Sequence, residues 1–194
     1  MDIAIDVPDG VSGDWEVNSF EVPKEDLSQL ISMLKSSRYV PAGKYKRLLR
    51  RGRCIMSNTP DEINDFMRFV RVASGSILVN GLGLGVLLKA LLNKPDVTEV
   101  TVIEKSEDVV KLVAPTYLKD SRVTIIHADA FEYNPPKGKR YDAVWHDIWD
   151  GICTDNLEGM KKLHRKYGRK ARFQASWARD LCEYHLKREK KRFW

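Results

Sequence analysis

The sequence predicts a doubly wound α/β fold with a mainly parallel sheet, and three observations predict it. From Ser76 to Asp150, short apolar runs alternate with helical stretches. A glycine-rich turn, GLGLG, breaks the first run. An acid then closes each of the next three: Glu104, Asp129 and Asp147. Strands covered on both faces read as continuous apolar runs, and helical crossovers join parallel neighbours.

The elements follow in order. IAIDV (3–7) and WEVNSFEV (15–22) flank PDGVSGD and predict a hairpin. Pro23 opens a stretch with Leu27, Leu30, Ile31 and Leu34 on one helical face. Tyr45 to Met56 predicts a second hairpin turning at Gly52. Thr59-Pro60-Asp61-Glu62 has the pattern of a capping box with proline at the first helical position, and Ile63, Phe66, Met67 and Val70 form the stripe to be buried. SILVN, TEVTVIE, RVTIIHAD and YDAVWHD are the strands of the sheet. VLLKALLN and SEDVVKLVAPTYL are the helices between the first three, with Ser106 as N-cap of the second. DNLEGMKKLHRKYG is a further helix ending near Gly168. Beyond it, Phe173, Trp177, Leu181 and Tyr184 recur at spacings of four, four and three, which favours an amphipathic helix over a fifth strand, with KARFQASW as an alternative edge strand. The sheet is therefore expected to be short at its C-terminal strands.

Composition bounds the class. At 194 residues, 43% hydrophobic and 31% charged, the chain is an ordinary globular one and excludes disordered and collagen-like classes. One domain with an extension is expected: 1–75 as hairpins and helices forming a candidate lid, 76–194 as the α/β domain with a basic C-terminal helix. No apolar run approaches the ~20 residues of a membrane span. The acidic start, MDIAIDVPDG, lacks the features of a secretory signal, so a cytoplasmic location is expected. Three widely spaced cysteines, Cys54, Cys153 and Cys182, match neither a disulfide framework nor a metal site. The net charge of +6 is unevenly placed: residues 1–34 hold eight acids and one base, 35–55 eight bases and no acid, and 160–194 thirteen bases and three acids. Two basic blocks fit an anionic partner such as nucleic acid, and equally fit solvated helix faces.

In open parallel sheets, ligands bind beyond the carboxyl ends of the strands. Asn80, Gly81, Gly83 and Gly85 follow the first strand, where glycines allow a tight turn and close approach of a ligand to the backbone. Val86 stands where a dinucleotide fingerprint wants glycine or alanine. Glu104 lies nineteen residues after Gly85, where a carboxylate accepts hydrogen bonds from both ribose hydroxyls. Asp129 is placed to meet an adenine edge, and Asp147 stands beside the reacting group. Each acid alone is also explained as a turn residue or N-cap. Three at successive strand ends, in register with a glycine turn, point to nucleoside binding.

With VNGLGLG, VTVIEKSEDVV, VTIIHADAFEY and YDAVWHDIWD in place, residues 76–150 resemble the S-adenosylmethionine-binding core of class I methyltransferases. The resemblance is closer to their spermidine-synthase-like branch. Upstream, GRCIMSNTPDEINDF resembles that branch's strand leading into an acidic pair that starts a helix. The resemblance implies a Rossmann-like domain with S-adenosylmethionine as cofactor. Gly81, Gly83 and Gly85 would flank its methionine part, Glu104 the ribose, and Asp129 with Ala130 the adenine, with Asn80 and Lys105 as further cofactor-binding candidates. Asp147 and Asp150 match the family's two acids after the fourth strand. The branch's aminopropyltransferases carry an aspartate in the glycine loop where this chain has Leu84, and a neutral side chain cannot hold a cation by charge. The expected function is therefore methyl transfer to a small molecule or a nucleic acid, the alternatives being an aminopropyl-type transferase and a non-catalytic cofactor-binding or interaction protein.

Asp147 is the first candidate for a base, followed by Asp150 and then His146, although strand alternation turns His146 away from Trp145 and Asp147. Trp149 and Tyr45 are candidate substrate contacts, Trp149 by stacking and Tyr45 from the lid, although aromatics near a sheet are more often core. Asp61 and Glu62 read as cofactor contacts by resemblance and as first-turn helix charge by position. No Asn-Pro-Pro-aromatic tetrapeptide of amino-methylating DNA enzymes follows the fourth strand; that position reads DIWD. The basic C-terminal helix suits nucleic acid, another protein or self-association into a homo-oligomer.

Overall fold

The computed structural model describes residues 3–24 and 40–192. An antiparallel meander comes first: β1 (Gly10–Ser12), β2 (Trp15–Val22), β3 (Gly43–Arg50) and β4 (Arg53–Ser57), in spatial order β1-β2-β3-β4. Arg51 and Gly52, at φ of 50° and 76°, make the two-residue turn between β3 and β4. This left-handed pair matches the twist of the flanking strands. Arg51 is held in it by its own N–H donating to Asp14 O at 2.8 Å and by an ion pair with the Asp14 carboxylate at 2.7 Å.

The expected first hairpin is shifted. Residues 3–7 are not a ladder strand, and Gly10–Ser12 pairs with Trp15–Val17 instead. The 3–7 segment still shows the alternation that suggested a strand, because Ile3, Ile5 and Val7 are buried in the core while Ala4 and Asp6 are exposed. The expected helix over Leu27–Leu34 lies outside the described residues. Helix α1 (Pro60–Val72) begins at the expected residue, with Thr59 extended at its N-terminus. The capping box does not form: Glu62 accepts from Ser57 N at 2.7 Å and from Ser57 Oγ at 2.8 Å, tying α1 to the end of β4. Phe69, more than Met67, completes the buried stripe with Ile63, Phe66 and Val70.

The second sheet is parallel throughout. Its strands are β5 (Gly75–Asn80), β6 (Val97–Glu104), β7 (Val123–His127), β8 (Tyr141–His146) and β9 (Ala171–Ser176), in order β7-β6-β5-β8-β9. Helices α2 (Val86–Leu92), α3 (Glu107–Tyr117) and α4 (Asn156–Tyr167) make three of the four crossovers, the one from β7 to β8 being irregular, and α5 (Arg179–Arg192) follows β9. Ser106 caps α3, its Oγ accepting from Val109 N. The order reverses between β5 and β8, so both neighbouring loops leave a crevice at that point.

Strand β9 corrects the expected amphipathic helix from Phe173. A helix there would leave the backbone groups of β8 unpaired on one edge, and β9 satisfies them in parallel register, Ala143 opposite Phe173 and His146 opposite Ser176. The spacing that suggested a helix runs through a strand, a turn and then α5. Its members do not form a buried stripe, since Phe173, Leu181 and Tyr184 are 43%, 46% and 53% exposed.

Both faces of the parallel sheet are covered. Ile77, Val79, Val100, Val102, Ala143 and Trp145 pack on one side with Ile63, Phe66 and Phe69 of α1 and with residues of α2 and α3. Val17 and Leu48 of the meander join the same cluster, so the meander, α1 and the parallel sheet share one core. Leu78, Ile103 and Val144 pack on the other side against Leu163 and Tyr167 of α4.

Candidate functional site

At the carboxyl ends of β5, β6 and β8 lies a cleft of about 950 Å³. That is at the upper end of the range for a small-molecule site. Its floor comes from the strand ends: Gly81, Leu82 and Gly83 after β5, Ile103 to Ser106 at β6, Asp129 to Phe131 after β7, and Trp145 with Asp147 to Ile152 at β8. Its other wall is the meander, through Trp15, Leu48, Arg50 and Cys54 to Met56, together with Glu62, Asp65 and Phe66 of α1.

The glycine turn is held from both sides. Gly81, at φ +101°, lies so close to Asp147 O that a Cβ would collide with it. Asp147 N in turn donates to Asn80 O at 2.8 Å, so the β5 and β8 loops are locked together. Met56 of β4 presses its sulfur into the space that a side chain on Gly83 would fill, and Sδ accepts from Leu84 N at 3.1 Å. The meander is therefore fastened directly to the loop. Gly85 is left-handed beneath the Tyr117 ring, whose hydroxyl donates to Leu84 O at 3.2 Å, and it does not line the cleft.

Glu104 stands on the cleft floor next to this turn. Oε2 accepts from Leu82 N and Oε1 from Ser106 N, both at 2.8 Å. An ionised carboxylate offers about four acceptor positions, so about two are left to face the cleft. Asp129 accepts from Lys105 Nζ at 2.8 Å and from Phe131 N at 2.7 Å. The Lys105 ammonium holds its carboxyl below the usual carboxylate range. Ile103, Ala130 and Phe131 add apolar lining to the same cleft.

Asp147 behaves differently. Burial pushes its carboxyl up to about 7, the Trp145 indole partly offsets this, and the charges of Asp65 and Glu62 add to the rise. A carboxyl in a cleft that changes protonation near neutrality is suited to general-base work. Asp65 is fixed by Trp177 Nε1, which donates to Oδ2 at 3.2 Å. Asp150 is at the rim, half exposed, paired with Arg50 of β3 at 3.3 Å. Arg50 also lies over the Trp15 ring, 5.3 Å from its centroid.

The expected site residues thus divide. Gly81, Gly83, Glu104, Lys105, Asp129, Ala130, Asp147, Trp149 and Asp150 all line one cleft. Asn80, Gly85 and Tyr45 do not. Asn80 shares a rung with His146, and alternation turns both side chains toward α4, where Asn80 Nδ2 meets His146 Nδ1 at 2.8 Å. Tyr45 packs on Phe20 and donates to Pro41 O at 2.9 Å. Met56, Asp65, Trp15 and Trp177 were not expected in the cleft. Asp65 had a signal, since it sits one helical turn after Asp61 and Glu62 and shares their face. Met56 had none, because its role depends on how the two sheets meet. Among the described residues, no group of three or more metal-ligating side chains is present, and no helix is long and apolar enough to cross a membrane.

No family model matches the chain, and no curated protein matches it in sequence. Solved structures do. The chain is similar to the 23S rRNA methyltransferase ErmE, with 17% identity and a TM-score of 0.46 over 58% of this chain and 45% of that one. It is similar to the N-methyltransferase NodS from Bradyrhizobium japonicum WM9, with 13% identity and a TM-score of 0.47 over 58% of this chain and 63% of that one. The same N-methyltransferase in complex with S-adenosyl-L-homocysteine gives a TM-score of 0.46 at 13% identity, over 58% of this chain and 57% of that one. The chain thus spans less than two thirds of the length of each of these structures.

Proposed function

We propose that the protein is an S-adenosylmethionine-dependent methyltransferase. The observation that carries this reading is Glu104, a carboxylate at the end of β6, beside a glycine turn at the sheet's switch point, with acceptor capacity left over where it lines the cleft. The residues fit the cofactor's nucleoside. Glu104 would hold the ribose hydroxyls, Ile103, Ala130 and Phe131 would flank the adenine, and Asp129 with Lys105 would close that end. Leu82, Gly81 and Gly83 would border the methionine part. When bound, S-adenosylmethionine supplies an already activated methyl group, so the protein has chiefly to align an acceptor and exclude water.

Asp147 then accepts the proton that a hydroxyl or amine acceptor releases, being ionised above a pH of about 7. Trp149 and Trp15 line the same cleft, and the meander with α1 would form its covering wall. Asp150 serves the rim through Arg50. The spermidine-synthase-like alternative is less well supported, because Leu84, where that branch carries an aspartate, is fully buried and out of reach of a substrate amine. The test is product analysis after incubation with S-adenosylmethionine and candidate acceptors. S-adenosylhomocysteine is expected; methylthioadenosine would replace methyl transfer with aminopropyl-type transfer, and neither product from any acceptor would favour a binding protein.

A further inference from the structure

Helix α5 is anchored through its N-terminal half. Arg179 donates from Nη1 to His164 Nδ1 at 3.0 Å, Cys182 is buried against Leu157 and Met160 of α4, and Leu186 packs on the same cluster. Trp149, which lines the cleft, packs on that cluster too, so α5 is seated directly behind the cleft wall. After Leu186 the helix continues as KREKKR, with no apolar residue to bury, and Lys187, Arg188 and Lys191 are exposed. Tyr184 is 53% exposed, with the Arg188 guanidinium 5.7 Å from its ring centroid.

We propose that this basic half of α5 binds nucleic acid. Five bases against one acid over residues 187–192 complement a phosphate chain. The exposed Tyr184–Arg188 pair offers a flat face on which an unpaired base stacks. An anionic membrane is a poorer fit, because a helix that lies in a bilayer interface needs an apolar face and this segment has none. The cleft itself repels phosphates, since Glu62, Asp65, Glu104, Asp129, Asp147 and Asp150 line it against Arg50 and Lys105. The phosphate chain is thereby kept on α5, outside the cleft. Binding on α5 does not need the cofactor, so it stands or falls separately from the transfer reading.

The test is fluorescence anisotropy of the full chain with a labelled single-stranded RNA of mixed sequence, over a range of salt concentrations, alongside the K187E/R188E/K191E variant and Tyr184→Ala. The wild type should bind with an affinity that falls steeply with salt, and the charge-reversal variant should bind at least tenfold more weakly, with its logarithmic salt slope reduced by about two. Tyr184→Ala should lose about tenfold on the single strand. Unchanged thermal melting of both variants keeps the comparison sound, because none of the four side chains is buried. Equal RNA affinity in wild type and charge-reversal variant would overturn the proposal. So would binding to polyglutamate or to phosphatidylserine vesicles as tight as to RNA, which would make α5 a general polyanion or membrane contact.

Discussion

Asp147 and His146 are chain neighbours at the end of β8, and they face opposite worlds. His146 points toward α4, where its ring is completely enclosed: Asn80 Nδ2 donates to Nδ1 at 2.8 Å and Nε2 faces Gln174 Oε1 at 3.3 Å. Gln174 passes the chain on to His164 O at 2.9 Å, and His164 Nε2 meets Ser176 Oγ at 2.8 Å. Burial holds His146 neutral, down at about 3. Asp147 is only partly buried and lines the cleft, and burial pushes its carboxyl up to about 7. One polar group is used to fix strands to each other, and the other is kept ready for a ligand. The difference teaches that burial alone does not mark a functional group; what matters is whether its partners are already in place.

Removing the cleft-side group should have the largest effect. Asp147→Asn is expected to lower kcat about a hundredfold to ten-thousandfold with little change in cofactor affinity, and to abolish the rise in rate through a pH of about 7. A steady-state pH profile checks this, and an unaltered profile would remove Asp147 as base. Next, Glu104→Ala should weaken cofactor binding about a hundredfold, as loss of two hydrogen bonds to a charged acceptor requires.

On the interior side, His146→Leu should cost stability and spare chemistry. It strands the Asn80 and Gln174 amides, for which about 2–4 kcal/mol in urea unfolding is expected, with cofactor affinity changed by no more than a few-fold. A variant that melts normally but loses binding would reverse the assignment of the two faces. The pH dependence of stability sharpens the contrast. His146, lowered to about 3 in the folded state, contributes stability that is present above its unfolded value near 6.5 and is lost as pH falls toward 3. Asp147, raised to about 7, binds more protons when folded, so its contribution grows as pH falls from about 7 to about 4. Between about pH 4 and 6.5 the two contributions oppose each other in the wild type, so stability should fall more steeply with acid in Asp147→Asn and less steeply in His146→Leu. The smallest effect is expected at the rim: Arg50→Ala breaks a half-exposed ion pair and should change stability by no more than about 1 kcal/mol.

Periodicity and strand-end chemistry made the parallel core legible from sequence. SILVN, TEVTVIE, RVTIIHAD and YDAVWHD carry their own signal in continuous apolar runs, and Glu104, Asp129 and Asp147 follow from where those runs stop. Phe173 misled because a strand, a turn and a helix in succession imitated helical spacing, and only the unpaired edge of β8 decides between the two. Glu62 misled because its carboxylate had a closer donor in Ser57 than in Thr59. Met56 and Trp177 reach the cleft through the packing of the meander and of β9 on the core, which no local pattern encodes. Asn80 was misplaced for a simpler reason: it is still in the strand, and pleat alternation sends its side chain to the far face.

The most direct test of the cofactor cleft is calorimetric titration of S-adenosylmethionine into wild type and Glu104→Ala, with thermal melting of both. The predicted result is saturable one-to-one binding by the wild type and about a hundredfold weaker binding by a variant that melts lower, because Leu82 N and Ser106 N lose their acceptor, yet is still folded at the titration temperature. Equal affinity in the two proteins, or no binding by the wild type, would contradict it.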